Sequence, residues 1–219
     1  MEGNSNKRHR DRLRIFLIIY HFSEPFINVD KPHLVGLLKS EVRIQKLDFL
    51  IRYPSYLCYE LILKMQEDPL INRNEIETVV KTIFSSQEPQ LRTQEMKKFL
   101  YGAWEDLDKT ISFLMAHGLI DFDSKVGSNL KKYDKEYFLT QLGKDKIEAG
   151  LRELPGLQWY QQRCNLIKKY FGDMKGSELK ALQYEHDAYK GALINDYIKD
   201  IAELTEQLYN REFQKEIYV

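Results

Sequence analysis

Four lysines, Lys125, Lys131, Lys132 and Lys135, crowd residues 124–135 against a single acid, Asp134. Lysines at that density on a polar segment suit contact with a phosphate backbone, where each neutralised phosphate releases counterions and adds salt-sensitive affinity. A second basic group opens the chain, with Lys7, Arg8, Arg10, Arg12 and Arg14 against Glu2 and Asp11. Arg8 and Arg10 join the four lysines as candidate DNA-binding residues. Reading base edges calls for Arg, Asn or Gln on an element that enters a groove. The helix expected over 102–117 (GAWEDLDKTISFLMAH) instead carries Glu105, Asp106 and Asp108 against Lys109. The contact expected is therefore with DNA backbone, without sequence preference.

The other end of the chain points to protein. Residues 196–219 hold six acids, Asp196, Asp200, Glu203, Glu206, Glu212 and Glu216, against three bases. On a helix expected over 192–213, Tyr197, Ile201, Leu204 and Leu208 fall at near-heptad spacing and are the candidate partner-binding residues. An amphipathic helix of this kind lies in a partner's groove or folds back on its own core. Enzyme chemistry finds no footing. The five histidines are scattered and Cys-x-x-Cys is absent, so no metal-ligand spacing occurs. Glu185-His186-Asp187 reads as an exposed polar helix face, since neighbouring side chains on a helix diverge. Cys164 sits on an apolar stripe and reads as core, where the reactive thiolate is disfavoured. Neither a Walker-type phosphate loop nor a GxGxxG stretch is present. No catalytic residue, metal or cofactor is expected.

Over 219 residues, 33 Lys+Arg balance 33 Asp+Glu, which excludes a general polyanion binder of the strongly basic kind. With 14 Tyr and 11 Phe the chain has the aromatic content of a packed core rather than of a disordered one. Two cysteines inside apolar patterns suit a reducing cytoplasm, not a disulfide framework. The run 13–22 (LRIFLIIYHF) follows a basic start as a signal peptide does, yet Ser23-Glu24-Pro25-Phe26 offers no cleavage site of small residues. At about half the length of a membrane span, it is read as a buried first helix of a cytoplasmic protein with no membrane contact.

These residues need elements to hold them. Residues 1–8 are expected as a disordered polar arm, 9–90 as an N-terminal helical region with winged-helix-like character, and 91–153 as a winged-helix domain. Residues 154–219 form a C-terminal helical region. Within the first half, a short strand is expected in 22–31 and helices over 32–52, 56–66 and 74–85. Pro54 separates the first two, because the residue before a proline is pushed out of the helical region. Gly118 follows the helix of 102–117 in the position that favours a left-handed residue. Next come a strand at 119–122, a polar hairpin, a returning strand at 136–139, and a helix capped by Thr140. The fold class expected is mainly α with a small β-hairpin wing: a winged helix-turn-helix plus additional helices.

Three stretches carry a resemblance: RIQKLDFLIRYPSYLCYEL (43–61), the region from HGLIDF to LTQLGK (117–144), and RCNLIKKYFGDMKGSELKALQYE (163–185). Arg163, Leu166, Ile167, Gly172, Leu179, Lys180, Tyr184 and Glu185 match the pattern of the last. Together they resemble the middle component of ABC-three-component systems, the Lamassu-type antiphage and anti-plasmid operons of bacteria. The stretch after Glu185, HDAYKGALINDYIKDI, departs from the family's pattern. The resemblance implies a non-enzymatic winged-helix subunit bridging an SMC-like ATPase subunit and an effector nuclease subunit, with auxiliary DNA contact. Its role would be antiviral defence through abortive infection or plasmid loss. Two other readings remain open: a winged-helix transcription regulator, and a small winged-helix subunit of a chromosome-organising SMC complex.

Overall fold

The computed structural model describes residues 2–100, 102–126 and 132–218, with side chains from Lys7 onward and backbone alone at Lys132. It is mainly helical, with a small antiparallel sheet. The chain begins with α1 (Glu2–Phe22), β1 (Glu24–Pro25), β2 (Leu34–Lys39) and α2 (Glu41–Arg52). It continues through α3 (Pro54–Glu67), α4 (Arg73–Ser85), α5 (Glu88–Leu91), β3 (Lys97–Phe99) and β4 (Gly102–Trp104). Then follow α6 (Asp108–Ala116), β5 (Ile120–Val126), β6 (Lys132–Thr140), α7 (Gln141–Glu153) and α8 (Pro155–Phe171). The chain closes with α9 (Gly176–Tyr184), α10 (Asp187–Gly191) and α11 (Ala202–Phe213).

Local chemistry explains many of these boundaries. Pro54 and Pro155 open α3 and α8, where a missing N–H costs nothing. Asn72 caps α4 by accepting from the Asn74 and Glu75 amides, and Thr140 caps α7 by accepting from the Gly143 amide at 2.9 Å. Gly118, at φ +66°, turns the chain out of α6. At Gly143 a Cβ would stand 2.1 Å from the Leu119 carbonyl oxygen, so only glycine admits the close approach of the first turn of α7.

The chain divides into two units, and the division falls inside α2 and α9. The first comprises Met1–Asp48 with Glu105–Lys180. Its sheet has the order β1-β2-β6-β5, all antiparallel, with β6 paired to β2 from Leu34↔Thr140 to Lys39↔Glu136. Helix α1 packs against α6, α7, α8, β2 and β6. Contacts on so many sides bury Arg14 through Ile19 without interruption, as expected of a helix that is apolar all round. The buried Arg14 is paired with Asp48, and with Asp11 at 2.9 Å. Gln45 holds the entry to α6 by donating to the Glu105 carbonyl at 2.6 Å and accepting from its amide at 3.0 Å.

The second unit comprises Phe49–Trp104 with Ala181–Val219. Helix α3 packs against α4, α5 and α11. Phe49, Tyr53, Tyr56 and Tyr189 form a buried aromatic cluster, with Phe49 and Tyr53 stacked at 4.5 Å. Residues 195–198 run antiparallel to β3, through Lys98 N–H to Asp196 O at 2.9 Å and Ile198 N–H to Met96 O at 3.0 Å.

Several expectations are corrected. Residues 2–8, expected as a disordered arm, are the first turns of α1. The helix expected over 32–52 is split into β2 and α2, because Leu34–Lys39 pairs with β6. The helix expected over 102–117 begins only at Asp108, since Gly102–Trp104 pairs with β3. The last helix starts at Ala202 rather than near 192, the preceding segment being drawn onto β3. The three consecutive regions expected after residue 8 are replaced by two units that are each discontinuous in sequence.

Candidate functional site

The hairpin that was expected to carry DNA contacts is β5 and β6, paired from Ile120↔Leu139 out to Val126↔Lys132. Lys131 lies outside the described residues, as does the side chain of Lys132. Lys125 is exposed, but its ammonium sits 3.0 Å from Asp134 across the hairpin. That hydrogen bond, then the Asp134 charge, raises the Lys125 pKa above its ordinary value. Lys135 is half-buried and pairs with Glu41 at the start of α2. Both of these lysines therefore spend charge on a carboxylate of their own unit.

The basic start of the chain is ordered along α1. Arg8 and Arg10 are exposed, while Lys7 pairs with Glu105 at 3.3 Å. The Arg12 guanidinium lies 3.6 Å above the Phe113 ring, and Arg14 is buried. Burial works against the Arg14 charge, yet Asp48 and Asp11 outweigh it and hold its pKa above the ordinary value. The outward face of α6 offers Asp108, Lys109, Ser112 and Met115, with no Arg, Asn or Gln to read a base.

In the second unit the four candidate docking residues separate. Ile201 and Leu208 are buried, and Leu208 lies on the face of α11 packed against α3. Leu204 and Tyr197 are exposed, Tyr197 lying on the extended segment opposite Lys97. Sequence reasoning missed Phe99, Leu100 and Leu193, which with Ile194 and Tyr197 leave apolar surface exposed along β3 and its partner segment. The available signal was apolar residues beside turn-forming Gly102 and Asn195, where no helical face accounts for them.

The remaining reactive groups are enclosed. His186 does not lie on an exposed polar face: it is buried between Tyr56 and Tyr59 and paired with Glu60. Burial pushes the Glu60 carboxyl above its ordinary range, against the opposing pull of His186. Burial likewise pushes the Cys164 thiol up to about 12, which keeps it protonated. Among the described residues no group of three or more His, Cys, Asp or Glu is placed to hold a metal ion. No helix among them is long and apolar enough to cross a membrane. No family model, no curated protein and no solved structure matches the chain.

Proposed function

We propose that the chain is a non-catalytic winged-helix subunit of an SMC-like ATPase complex in antiviral and anti-plasmid defence. In this reading it bridges the ATPase to an effector nuclease in the cytoplasm, while its wing and the start of α1 touch DNA backbone. The observation that carries the reading is the strand order of the first unit. Helix α1, strand β2 and helix α2 are followed, after an interposed segment, by α6, β5 and β6, with β6 between β2 and β5. This order supports a helix–strand–helix–helix–strand–wing–strand reading, with α6 at the position of a recognition helix. The acidic start of α6 favours backbone contact over base reading, which sets this reading apart from a transcription regulator. The exposed apolar residues beside β3 suit attachment to protein rather than to nucleic acid. The family resemblance supplies the ATPase and the nuclease.

Co-expression with a coiled-coil ATPase encoded beside it tests the reading. The chain should co-purify with the ATPase, and a double substitution Ile194→Glu and Tyr197→Glu should lower the recovered complex several-fold without unfolding the chain. Failure of the unaltered chain to co-purify overturns the proposal.

A further inference from the structure

Helix α6, strands β5 and β6 and the first residue of α2 surround a pocket of about 320 Å³ within the first unit. Ile111, Met115 and Phe122 make its apolar wall. Its polar groups are Asp108, Glu41, Lys135 and Tyr137. Lys135 is committed to Glu41, so the pair adds no net charge. Asp108 pairs with no cation among the described residues. Tyr137 is only 1% exposed and lines the pocket, yet no described residue hydrogen-bonds its hydroxyl. The hydroxyl is thus open to hydrogen-bond a molecule that enters the pocket. The Phe122 and Tyr137 rings, both lining the pocket, stand 5.2 Å apart in a tilted arrangement.

We propose that this pocket binds a small organic cation, an ammonium group on a short apolar stem. Asp108 and the Tyr137 hydroxyl oxygen accept its N–H donors, and Ile111, Met115 and Phe122 hold the stem. The local field has the matching sign. Burial raises the Tyr137 pKa most, and the Glu41 and Asp108 charges raise it further; those two carboxylates are what an added cation would feel as favourable. The volume suits a compact ligand, near the lower end of the range for small-molecule sites.

Benzylammonium is the probe, titrated into the full chain at pH 7 and followed by the Ile111 and Met115 methyl resonances. Saturable binding with Kd on the order of 1 mM or tighter is expected. It should exceed the binding of benzyl alcohol and of benzoate about tenfold. Asp108→Asn, at an exposed position and checked for an unchanged melting temperature, should weaken it about tenfold. Tyr137→Phe should weaken it several-fold. Equal binding of benzoate, absence of saturation, or an unchanged Kd in the Asp108→Asn variant overturns the proposal. Nα-acetyl-lysine methylamide distinguishes the source of the ammonium: weaker binding than benzylammonium supports a free amine, and tighter binding overturns that assignment.

Discussion

Two buried polar sites, one in each unit, are held in opposite ways. Under α1 the first unit encloses a full charge, Arg14, and offsets it with Asp48 and Asp11. In the second unit the hydroxyls of Tyr53, Tyr56 and Tyr189 are instead tied to backbone. Tyr53 donates to the Ile198 carbonyl at 2.9 Å and accepts from the Met96 amide at 2.8 Å. Tyr56 donates to Lys199 at 3.0 Å, and Tyr189 accepts from the Ala103 amide at 2.6 Å. A buried ion pair is costly to assemble and worse to break, because removing one partner strands the other charge. A buried tyrosine loses less, since its alternative state is neutral. The Arg14 site thus concentrates its risk in one cluster of charges, and the tyrosine cluster distributes it over several bonds.

Breaking that contrast at its strongest point gives the largest expected effect. Asp48→Ala should destabilise the first unit by about 3–5 kcal/mol, read as a lower urea midpoint. Replacing both partners with apolar residues, Arg14→Met with Asp48→Leu, should recover most of that loss. If the double variant is no more stable than Asp48→Ala, the charge of Arg14 is not what the pair offsets.

Tyr53→Phe probes the other strategy. It removes an acceptor from the buried Met96 amide as well as a donor, so a loss of about 1–3 kcal/mol is expected. Tyr56→Phe removes only a donor to a carbonyl and should cost about 0.5–1.5 kcal/mol. Burial pushes the Tyr53 hydroxyl up to about 12, so both comparisons hold across neutral pH. Equal losses in the two variants would mean that the stranded amide finds another partner.

What the sequence made legible divides along similar lines. Features decided within a few residues were readable: the Thr140 cap, the left-handed Gly118, the Pro54 boundary and the β5–β6 hairpin all follow from local backbone chemistry. Features decided by distant pairing were not. Leu34–Lys39 is a short apolar run whose periodicity fits a buried helix as well as a strand, and its partner β6 lies about a hundred residues further on. The segment 195–198 likewise fits a helical pattern, and pairing with β3 holds it extended. At the candidate site the lysines were visible but their partners were not. Glu41 reaches Lys135 only because α2 follows β2 in the same sheet, and Asp134 reaches Lys125 only through a register shift between Asp123 and Lys125. Tyr137 falls within the strand expected at 136–139, and nothing local shows that α6 places Asp108 and a pocket beside it.

The exposed pair Lys125–Asp134 completes the comparison as the weakest case, in which water replaces most of what either partner loses. Its removal should leave the melting temperature unchanged and act on binding instead. Asp134 stands at φ +49°, a left-handed conformation that asparagine also tolerates, so Asp134→Asn introduces no backbone strain. The substitution releases Lys125 for a phosphate. In fluorescence anisotropy with a short DNA duplex, the slope of log K against log salt concentration should steepen by about 0.9, the value for one added phosphate contact. Lys125→Gln should shift the slope the other way, by less, because the native lysine is already shared with Asp134. A slope that stays the same in both variants would remove Lys125 from the DNA interface.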